Sequence, residues 1–414
     1  MLRKIIGQAG IRFQPGTLPA TTKYYQKYER ISEILDQNPQ ILDLVHADIS
    51  KALDSFNRNG RRSKISTENV LRACIVQTIE KEPLRKLIIR IDESDNLRHF
   101  VRIYNGDMFS FSTFCSLRNH IKPNSWEKIN RLLAVFAIEQ EYIDGERLRI
   151  DTTAVETDIH YPTDSSLLAD TYRVMARLVK VARKIHPELV GTRRLREAKV
   201  KKLQADIARS SRKKGRVSRR ARKLYSGLFH LVETILELGS EIRKRLAAGS
   251  FAGSDGSPVV VSSPSLVLSI DHFLELGHRV LDQARRRIVN EENVPAEEKL
   301  YSIFEDHTEL IKRGKAGKPI EFGHMILLEQ VGGKFISGYT VFDKKPNDNE
   351  LVDSTLERHE ELFGYLPTEL SADKGFYESM DKVEQLEDKI DTVSICKKGS
   401  RTDEEKEREG SPSC

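Results

Sequence analysis

The sequence has little of what a membrane-spanning or secreted protein needs. Its longest uninterrupted apolar run covers only residues 132–138, far short of the roughly 18 apolar residues of a spanning helix. The N-terminus, Met1-Leu-Arg-Lys-Ile-Ile-Gly, has no apolar core of a secretory signal. The few cysteines are scattered, without a Cys-x-x-Cys pair: Cys74, Cys115, Cys396 and Cys414. These absences argue against a disulfide framework and a zinc site, and they predict a protein of the reducing cytoplasm.

Charge, in contrast, is plentiful and unevenly distributed. The 68 Lys and Arg only slightly outnumber the 62 Asp and Glu, and the formal net charge is +6. Residues 171–223, however, contain 20 Lys and Arg and three acids, a net charge of +17 that leaves −11 for the rest of the chain. A basic block of this kind is typical of a surface that binds a phosphate backbone, although a solvated helical face is the ordinary alternative. The candidate nucleic-acid contacts are Arg193, Arg194, Lys201, Lys202, Arg212, Lys213, Lys214, Arg216, Arg219 and Arg220.

The period of the apolar residues divides the chain into six segments. They are a loose arm (1–22), a helical domain (23–145), a first strand with a motif (146–164), a basic helical insertion (165–317), alternating strands and helices (318–400) and a charged tail (401–414). In the helical domain, Ser66 or Thr67 is predicted to begin a helix that Lys81-Glu-Pro interrupts. The two helices around that break suit an ordinary packed hairpin or a helix-turn-helix that reads DNA.

The strands of the second half are predicted from a period of two. After the first strand, at 147–157, the segments Phe322–Gln330 and Phe335–Phe342 are predicted to form a hairpin around Gly332-Gly333. A helix (348–363), a strand (368–373), a helix (377–388) and a strand (392–397) are predicted to follow. This order predicts an α/β fold, α+β overall, in which helices flank a mixed sheet and a long helical insertion follows the first strand. The Gly- and Ser-rich residues 248–258 are predicted as a flexible loop.

Two aspartates have positions that suit metal chemistry. Asp151 lies inside the first predicted strand, where Asp is uncommon, and Asp373 lies at the carboxyl end of the fourth. Because the first strand of a mixed sheet is often central, a neighbouring strand can bring Asp373 within a few ångström of Asp151. Two such carboxylates repel each other unless a divalent cation lies between them, and oxygen-only ligation suits Mg²⁺ or Mn²⁺. The alternative for each aspartate is a turn or capping residue, which fits Asp373 at a strand end better than Asp151 inside a strand.

The motifs around these aspartates resemble a known family. Residues 151–168, Asp-Thr-Thr-Ala-Val-Glu-Thr-Asp-Ile-His-Tyr-Pro-Thr-Asp-Ser-Ser-Leu-Leu, resemble the first acidic motif of bacterial insertion-sequence transposases of the DDE class. Residues 371–377, Ser-Ala-Asp-Lys-Gly-Phe-Tyr, resemble the second. Residues 96–100 (Asn-Leu-Arg-His-Phe) and 111–119 (Phe-Ser-Thr-Phe-Cys-Ser-Leu-Arg-Asn) are similar to the helical N-terminal domain of that family. The resemblance covers most of the chain from about residue 25.

The resemblance implies an RNase H-like core that cleaves and transfers DNA strands at transposon ends and depends on Mg²⁺. Asp151 and Asp373 would be the first two metal-binding catalytic acids. Further residues of the first motif would shape the pocket or the loop after it: Glu156, His160, Thr163 and Asp164. The implied partners are double-stranded DNA, as transposon ends and as target, and further copies of this chain in a synaptic complex. The implied location is the bacterial cytoplasm, at the nucleoid.

One residue of the family pattern is not found at its expected place. Transposases of this class need a third acid, usually Glu, on a helix after the last core strand. Here the acids after Cys396 lie at residues 403–409, in a charged tail. The chain is therefore expected to be C-terminally truncated and catalytically incomplete. A non-catalytic DNA-binding protein and an RNase H-like nuclease without transposition are the alternative functions.

Overall fold

A computed structural model describes residues 18–57, 65–104, 108–210, 217–253, 256–312, 320–344 and 346–397. Within these residues the chain divides into two compact units. The first unit runs up to Asp151 and includes Leu328–Thr340 and the residues from Asn347 onward. The second consists of Thr152–Leu327 and Val341–Pro346. None of the described helices is long and apolar enough to cross a membrane.

The first unit begins with helices whose boundaries follow the capping signals. Ser66 caps the third helix, because its Oγ accepts a hydrogen bond from the Asn69 backbone N–H while Asn69 Oδ1 accepts one from Ser66 N. That helix ends where Lys81 adopts a positive φ of 54°. Pro83 then precedes the next helix, as the sequence predicts. The helices are α1 Pro19–Gln37, α2 Pro39–Asn57, α3 Thr67–Glu80, α4 Leu84–Glu93, α5 Asp95–Val101, α6 Phe111–Arg118 and α7 Pro123–Glu139.

A buried arginine joins three of these helices. The side chain of Arg72 in α3 is only 1% exposed. Its guanidinium donates to Glu68 Oε1 at 3.0 Å, to Asp36 Oδ1 of α1 at 3.1 Å and to the Phe100 carbonyl of α5 at 3.3 Å. Since a buried charge is tolerated only when it is paired and hydrogen-bonded, these contacts fix how α1, α3 and α5 pack.

Strand β1, Arg147–Glu156, leads into the helices of the second unit. An apolar stripe that includes Leu228 and Ile235 is buried in the core between these helices. The Gly- and Ser-rich residues 248–258 are predicted as a flexible loop, and this prediction is wrong in part. They contribute to an antiparallel hairpin of two short strands. Phe251 and Val259 hold the hairpin against the helical core. The elements are α8 Asp164–Ile185, α9 Glu197–Ser210, α10 Arg219–Ala247, β2 Ser250–Ala252, β3 Pro258–Val260 and α11 Pro264–Ile288.

The remaining strands complete a six-stranded mixed sheet around β1. They are β4 Glu309–Lys312, β5 Ile320–Val331, β6 Phe335–Val341, β7 Glu369–Ala372 and β8 Thr392–Ile395, with helices α12 Val352–Phe363 and α13 Met380–Glu387 between the last three. The strand order is β4-β5-β1-β7-β8, and β6 pairs with β5. Pairs β1–β7 and β7–β8 are parallel, whereas β4–β5 is antiparallel. The mixed sheet with flanking helices is the fold class that the sequence predicts.

Candidate functional site

Asp151 and Asp373 directly follow the residues through which strands β1 and β7 pair with each other. The parallel register of β1 and β7 pairs Arg149 with Ser371 and Ile150 with Ala372. Asp151 and Asp373 are therefore the next residues on both strands, and adjacent strands lie about 4.8 Å apart. β1 is the middle strand of the five-strand path, and both aspartates are exposed. The register thus places the two predicted acids side by side within the first unit.

The Asp373 carboxylate is held by the turn that follows β7. Asp373 caps the short helical turn Lys374–Phe376, and its Oδ1 accepts a hydrogen bond from Gly375 N at 2.7 Å. A Cβ at Gly375 would lie 2.7 Å from that oxygen and 2.7 Å from Asp348 Oδ2. Real Cβ atoms essentially never approach an oxygen this closely, so only glycine fits without a shift. Asp373 is thus a capping residue, which is the alternative role considered from the sequence, and the Gly375 N–H fixes the orientation of its carboxylate.

In the described residues no group of three or more His, Cys, Asp or Glu side chains has the geometry of a metal site. Asp151 and Asp373 provide oxygen ligands only, which is the donor set that Mg²⁺ and Mn²⁺ prefer. The tail acids at 403–409 lie outside the described residues. The metal site therefore stays a prediction that rests on a pair of carboxylates.

Downstream residues of the first motif anchor helix α8 in the second unit. Thr163 caps α8 through a reciprocal pair of hydrogen bonds with Ser166. Asp164 is buried and accepts a hydrogen bond from Arg287 of α11 at 2.8 Å. Burial raises the pKa of Asp164 above its usual value, and Arg287 opposes that shift. These contacts show that the part of the motif after β1 begins helix α8 and attaches it to α11.

His160 is the motif residue with a carboxylate beside it. Its Nε2 lies 3.3 Å from Oδ2 of Asp170, whose side chain is only 4% exposed. The other oxygen of Asp170 contacts the Arg173 guanidinium. His160 itself is half exposed, and Glu156 is exposed at the end of β1.

The predicted DNA contacts divide into three groups. Arg193 is exposed but forms an ion pair with Glu241 of α10, with Nη1 2.6 Å from Oε2. Five others are exposed and have no ion-pair partner among the described residues: Arg194, Lys201, Lys202, Arg219 and Arg220. Four lie outside the described residues: Arg212, Lys213, Lys214 and Arg216. The sequence count overstates the free charge because it does not subtract ion pairs formed within the fold.

A groove of about 550 Å³ separates the 193–196 segment from α10. Arg193, Arg194 and Arg196 contribute to one wall, and Glu237 and Glu241 lie on α10. Glu241 is shared, since its Oε1 also accepts a hydrogen bond from Arg245 at 2.6 Å. Cations and carboxylates therefore face each other across this groove, and a phosphate would have to compete with Glu241 for Arg193.

The exposed cations of α8 were missed among the predicted site residues. Arg173, Arg177, Lys180 and Lys184 are all exposed. Their spacing of four, three and four residues is the signal that identifies them, because it places them on one side of a helix. A count of consecutive basic residues does not detect such a spacing.

Comparison with known proteins finds a family match for one segment of the chain. Residues 22–120 match the family model described as "Transposase domain (DUF772)". This match covers helices α1–α6, about a quarter of the chain. No curated protein and no solved structure matches the chain. The domain match supports a transposase, with DNA as its partner.

Proposed function

We propose that this protein is a DDE-type transposase with an RNase H-like core, which cleaves and transfers DNA strands at insertion-sequence ends. The observation that carries the proposal is the register of β1 and β7, because Asp151 and Asp373 directly follow the paired residues Ile150 and Ala372 on neighbouring strands of a mixed sheet. The transposase-domain match over residues 22–120 supports the same class of reaction. Proteins of one fold have many functions, so the argument depends on this site and not on the sheet alone.

Asp151 and Asp373 would hold the divalent cation, Mg²⁺ or Mn²⁺. Their oxygens fit such a cation, since both side chains are exposed and no His or Cys completes a softer ligand set among the described residues. The Gly375 N–H fixes Oδ1 of Asp373, so this carboxylate needs little rearrangement to bind. When bound, the metal would activate the attacking water or 3′-hydroxyl and stabilise the leaving oxygen.

The basic insertion would hold the DNA. Five of the predicted contacts are exposed and have no ion-pair partner in the described chain, and they lie on α9, at the start of α10 and just before α9. Lys and Arg on phosphates position a duplex without reading its sequence. Recognition of the transposon ends therefore needs other residues, and a homo-oligomer would bring two ends together.

A non-catalytic DNA-binding protein is the second candidate function. The observation that favours it is that the described residues contain no group of three or more His, Cys, Asp or Glu side chains that could hold a metal ion. Both functions share DNA binding, so metal binding and DNA binding are tested separately. An RNase H-like nuclease would share the two aspartates and differ only in its substrate.

A Mn²⁺ titration tests the acidic pair. We expect wild-type protein to bind Mn²⁺ weakly and Asp151→Asn or Asp373→Asn to weaken that binding by about tenfold or more, since even outer-shell changes cost 10–100-fold. Asp388→Asn is the matched control, because it removes one exposed carboxylate of the same unit. If the Asp151 and Asp373 variants bind Mn²⁺ as the control does, the acidic pair is not the metal site.

Salt-dependent binding to a labelled duplex tests the insertion. Changing Lys201, Lys202, Arg219 and Arg220 together to Gln should weaken binding to every DNA sequence alike. The slope of log affinity against log salt should fall by up to about 3.6, at about 0.9 per phosphate contact. The same result is expected when Arg212, Lys213, Lys214 and Arg216 are changed together. Unchanged affinity in both variants would exclude these cations as DNA contacts.

A further inference from the structure

Helix α8 presents a row of cations to solvent. Arg173, Arg177, Lys180 and Lys184 lie within an arc of about 60°, because an α-helix turns 100° per residue. The row is about 16 Å long at 1.5 Å per residue. We call these four residues the α8 ridge.

No acid interrupts this ridge on its own helix. The two acidic residues of α8, Asp164 and Asp170, are both buried. Arg177 and Lys184 have no ion-pair partner among the described residues, whereas Lys180 Nζ lies 2.6 Å from Glu197 Oε2. The exposed side of α8 therefore carries a net positive charge that the fold neutralises only in part.

Both ends of the ridge are held in place by the second unit. At the first end, the buried Asp170 carboxylate contacts Arg173 on one oxygen and lies beside His160 on the other. At the second end, Arg183 donates to the Arg193 carbonyl at 2.7 Å, which sets the 193–196 segment beside α8. Below the surface, α8 packs on the helical core through residues such as Leu168, Met175 and Val179. The ridge is thus a fixed row on a rigid element.

We propose that the α8 ridge binds the phosphate backbone of duplex DNA independently of base sequence. This inference rests on the proposed DNA-binding function and adds a surface to it. Duplex DNA carries one phosphate per 3.4 Å of axis on each strand, so a row of about 16 Å spans several phosphates. Arg and Lys bind these phosphates and fix the position of the duplex, whereas bases are read in the grooves. The ridge therefore suits flanking or target DNA better than the recognition of terminal repeats.

Two substitutions isolate the ridge. Arg177→Gln with Lys184→Gln removes two charges without breaking an ion pair among the described residues, so the fold should be unaffected. Lys244→Gln with Arg279→Gln is the matched control, since both residues are exposed cations of the same unit, without ion-pair partners in the described chain, on α10 and α11. Circular dichroism and the thermal midpoint verify that both double variants fold.

The measurement is fluorescence anisotropy of two labelled duplexes, one with insertion-sequence ends and one unrelated. We expect the ridge variant to bind both duplexes about 25-fold more weakly at 0.15 M salt, from two phosphate contacts of about fivefold each. Its log–log salt slope should be shallower by about 1.8, and the control should stay within about twofold of wild type.

Three results would overturn the inference in distinguishable ways. If wild type binds both duplexes and the ridge variant binds them with the same affinity as the control, the α8 ridge does not contact DNA, but the proposed DNA-binding function stands. If only the end-containing duplex is affected, the ridge reads sequence and does not act as proposed. If wild type binds neither duplex, the proposed function fails and the ridge fails with it.

Discussion

Single residues decide how the candidate acids are held. Asp151 is predictable from the sequence because an Asp inside a strand pattern is unusual. The role of Gly375 is not predictable in the same way, since it depends on two carboxylates that converge on one point from residues 348 and 373. Similarly, the pairing of Arg193 with Glu241 joins positions 48 residues apart, and no local pattern indicates it.

Gly375→Ala should disturb the metal site without unfolding the protein. The new Cβ would lie 2.7 Å from Asp373 Oδ1 and from Asp348 Oδ2, so at least one carboxylate must move. Because a misplacement of about 1 Å can cost about a hundredfold in function, we expect Mn²⁺ affinity to fall by about tenfold or more. Gly332→Ala is the control, since a Cβ there meets Asp144 only at an ordinary 3.5 Å. Equal Mn²⁺ affinity in the two variants would contradict the argument.

Arg72→Met should strongly destabilise the first unit. The change removes a buried guanidinium and leaves Glu68, itself buried, without that partner. Breaking a buried ion pair on one side costs about 3–5 kcal/mol. We expect a clear decrease in the urea midpoint of the first unit. The fluorescence of the single tryptophan, Trp126, monitors this unfolding. Arg90→Met, at an exposed residue of α4, should change stability by less than about 0.5 kcal/mol. A similar loss in both variants would contradict the role of burial.

Elements were predicted well where period and turn chemistry agreed. Gly333 supplies the positive φ of 69° at the turn between β5 and β6, and Ser66 begins α3, both as the sequence indicates. The three strands that prediction missed, β2, β3 and β4, are short and stabilised by pairing or by distant contacts. β4 has only four residues and forms through pairing with β5. The β2–β3 hairpin depends on Phe251 and Val259 packing against helices far away in sequence.

Helix α10 should restrain DNA binding through Glu241. This carboxylate pairs with Arg193, so a phosphate that binds Arg193 would have to compete with it. Glu241→Gln should therefore raise DNA affinity by about fivefold at 0.15 M salt and steepen the salt slope by about 0.9, the effect of one extra phosphate contact. Glu275→Gln on α11 removes the same charge from an exposed residue of the same unit and controls for the general field. An equal gain in both variants would show that Glu241 acts only through net charge.

A buried histidine of helix α12 should make the first unit less stable to unfolding at mildly acidic pH. His359 is 2% exposed and donates from Nε2 to the Gly145 carbonyl at 2.9 Å. Burial lowers the pKa of His359 below 6.5. The unfolded chain therefore binds the proton more readily, so this contribution to stability is complete above about pH 6.5 and is lost as the pH falls towards the folded-state pKa.

The test of this pH effect is a comparison of wild type with His359→Gln. The variant keeps an N–H donor but does not titrate, so its unfolding free energy should depend less on pH below about 6.5. Urea unfolding at pH 7.5 and pH 5.5 measures the difference. If both proteins lose the same stability between these two conditions, His359 is not responsible.

At the scale of the whole molecule, the proposed DNA-binding charge and the proposed metal-binding acids are separated along the chain. The net charge of +17 lies in residues 171–223, between the strand that carries Asp151 and the strand that precedes Asp373. The long insertion after β1 is predictable because the period changes from two to 3.6 and later returns. How many of its cations stay free is not predictable, because that number depends on ion pairs such as Lys180–Glu197 and Arg193–Glu241.

The last prediction concerns catalysis by the 414-residue chain. Two-metal transfer needs one ion at the attacking oxygen and one at the leaving oxygen. Asp151 and Asp373 can hold one ion and bridge a second, but the second ion needs a further carboxylate, and the described residues contain no metal-like group of three. We therefore expect DNA binding and weak Mn²⁺ binding without cleavage.

A nicking assay on duplexes that carry insertion-sequence ends, with Mg²⁺ or Mn²⁺, measures this outcome, and Asp151→Asn sets the background. Wild type should not exceed that background, although it still binds the duplex. Metal-dependent cleavage that Asp151→Asn abolishes would contradict the prediction and support the acidic pair as catalytic. The third acid would then belong to the residues outside the described part, where the tail supplies five: Asp403, Glu404, Glu405, Glu407 and Glu409. Changing these one at a time to Asn or Gln would identify it, because only the ligand should abolish cleavage while DNA binding persists.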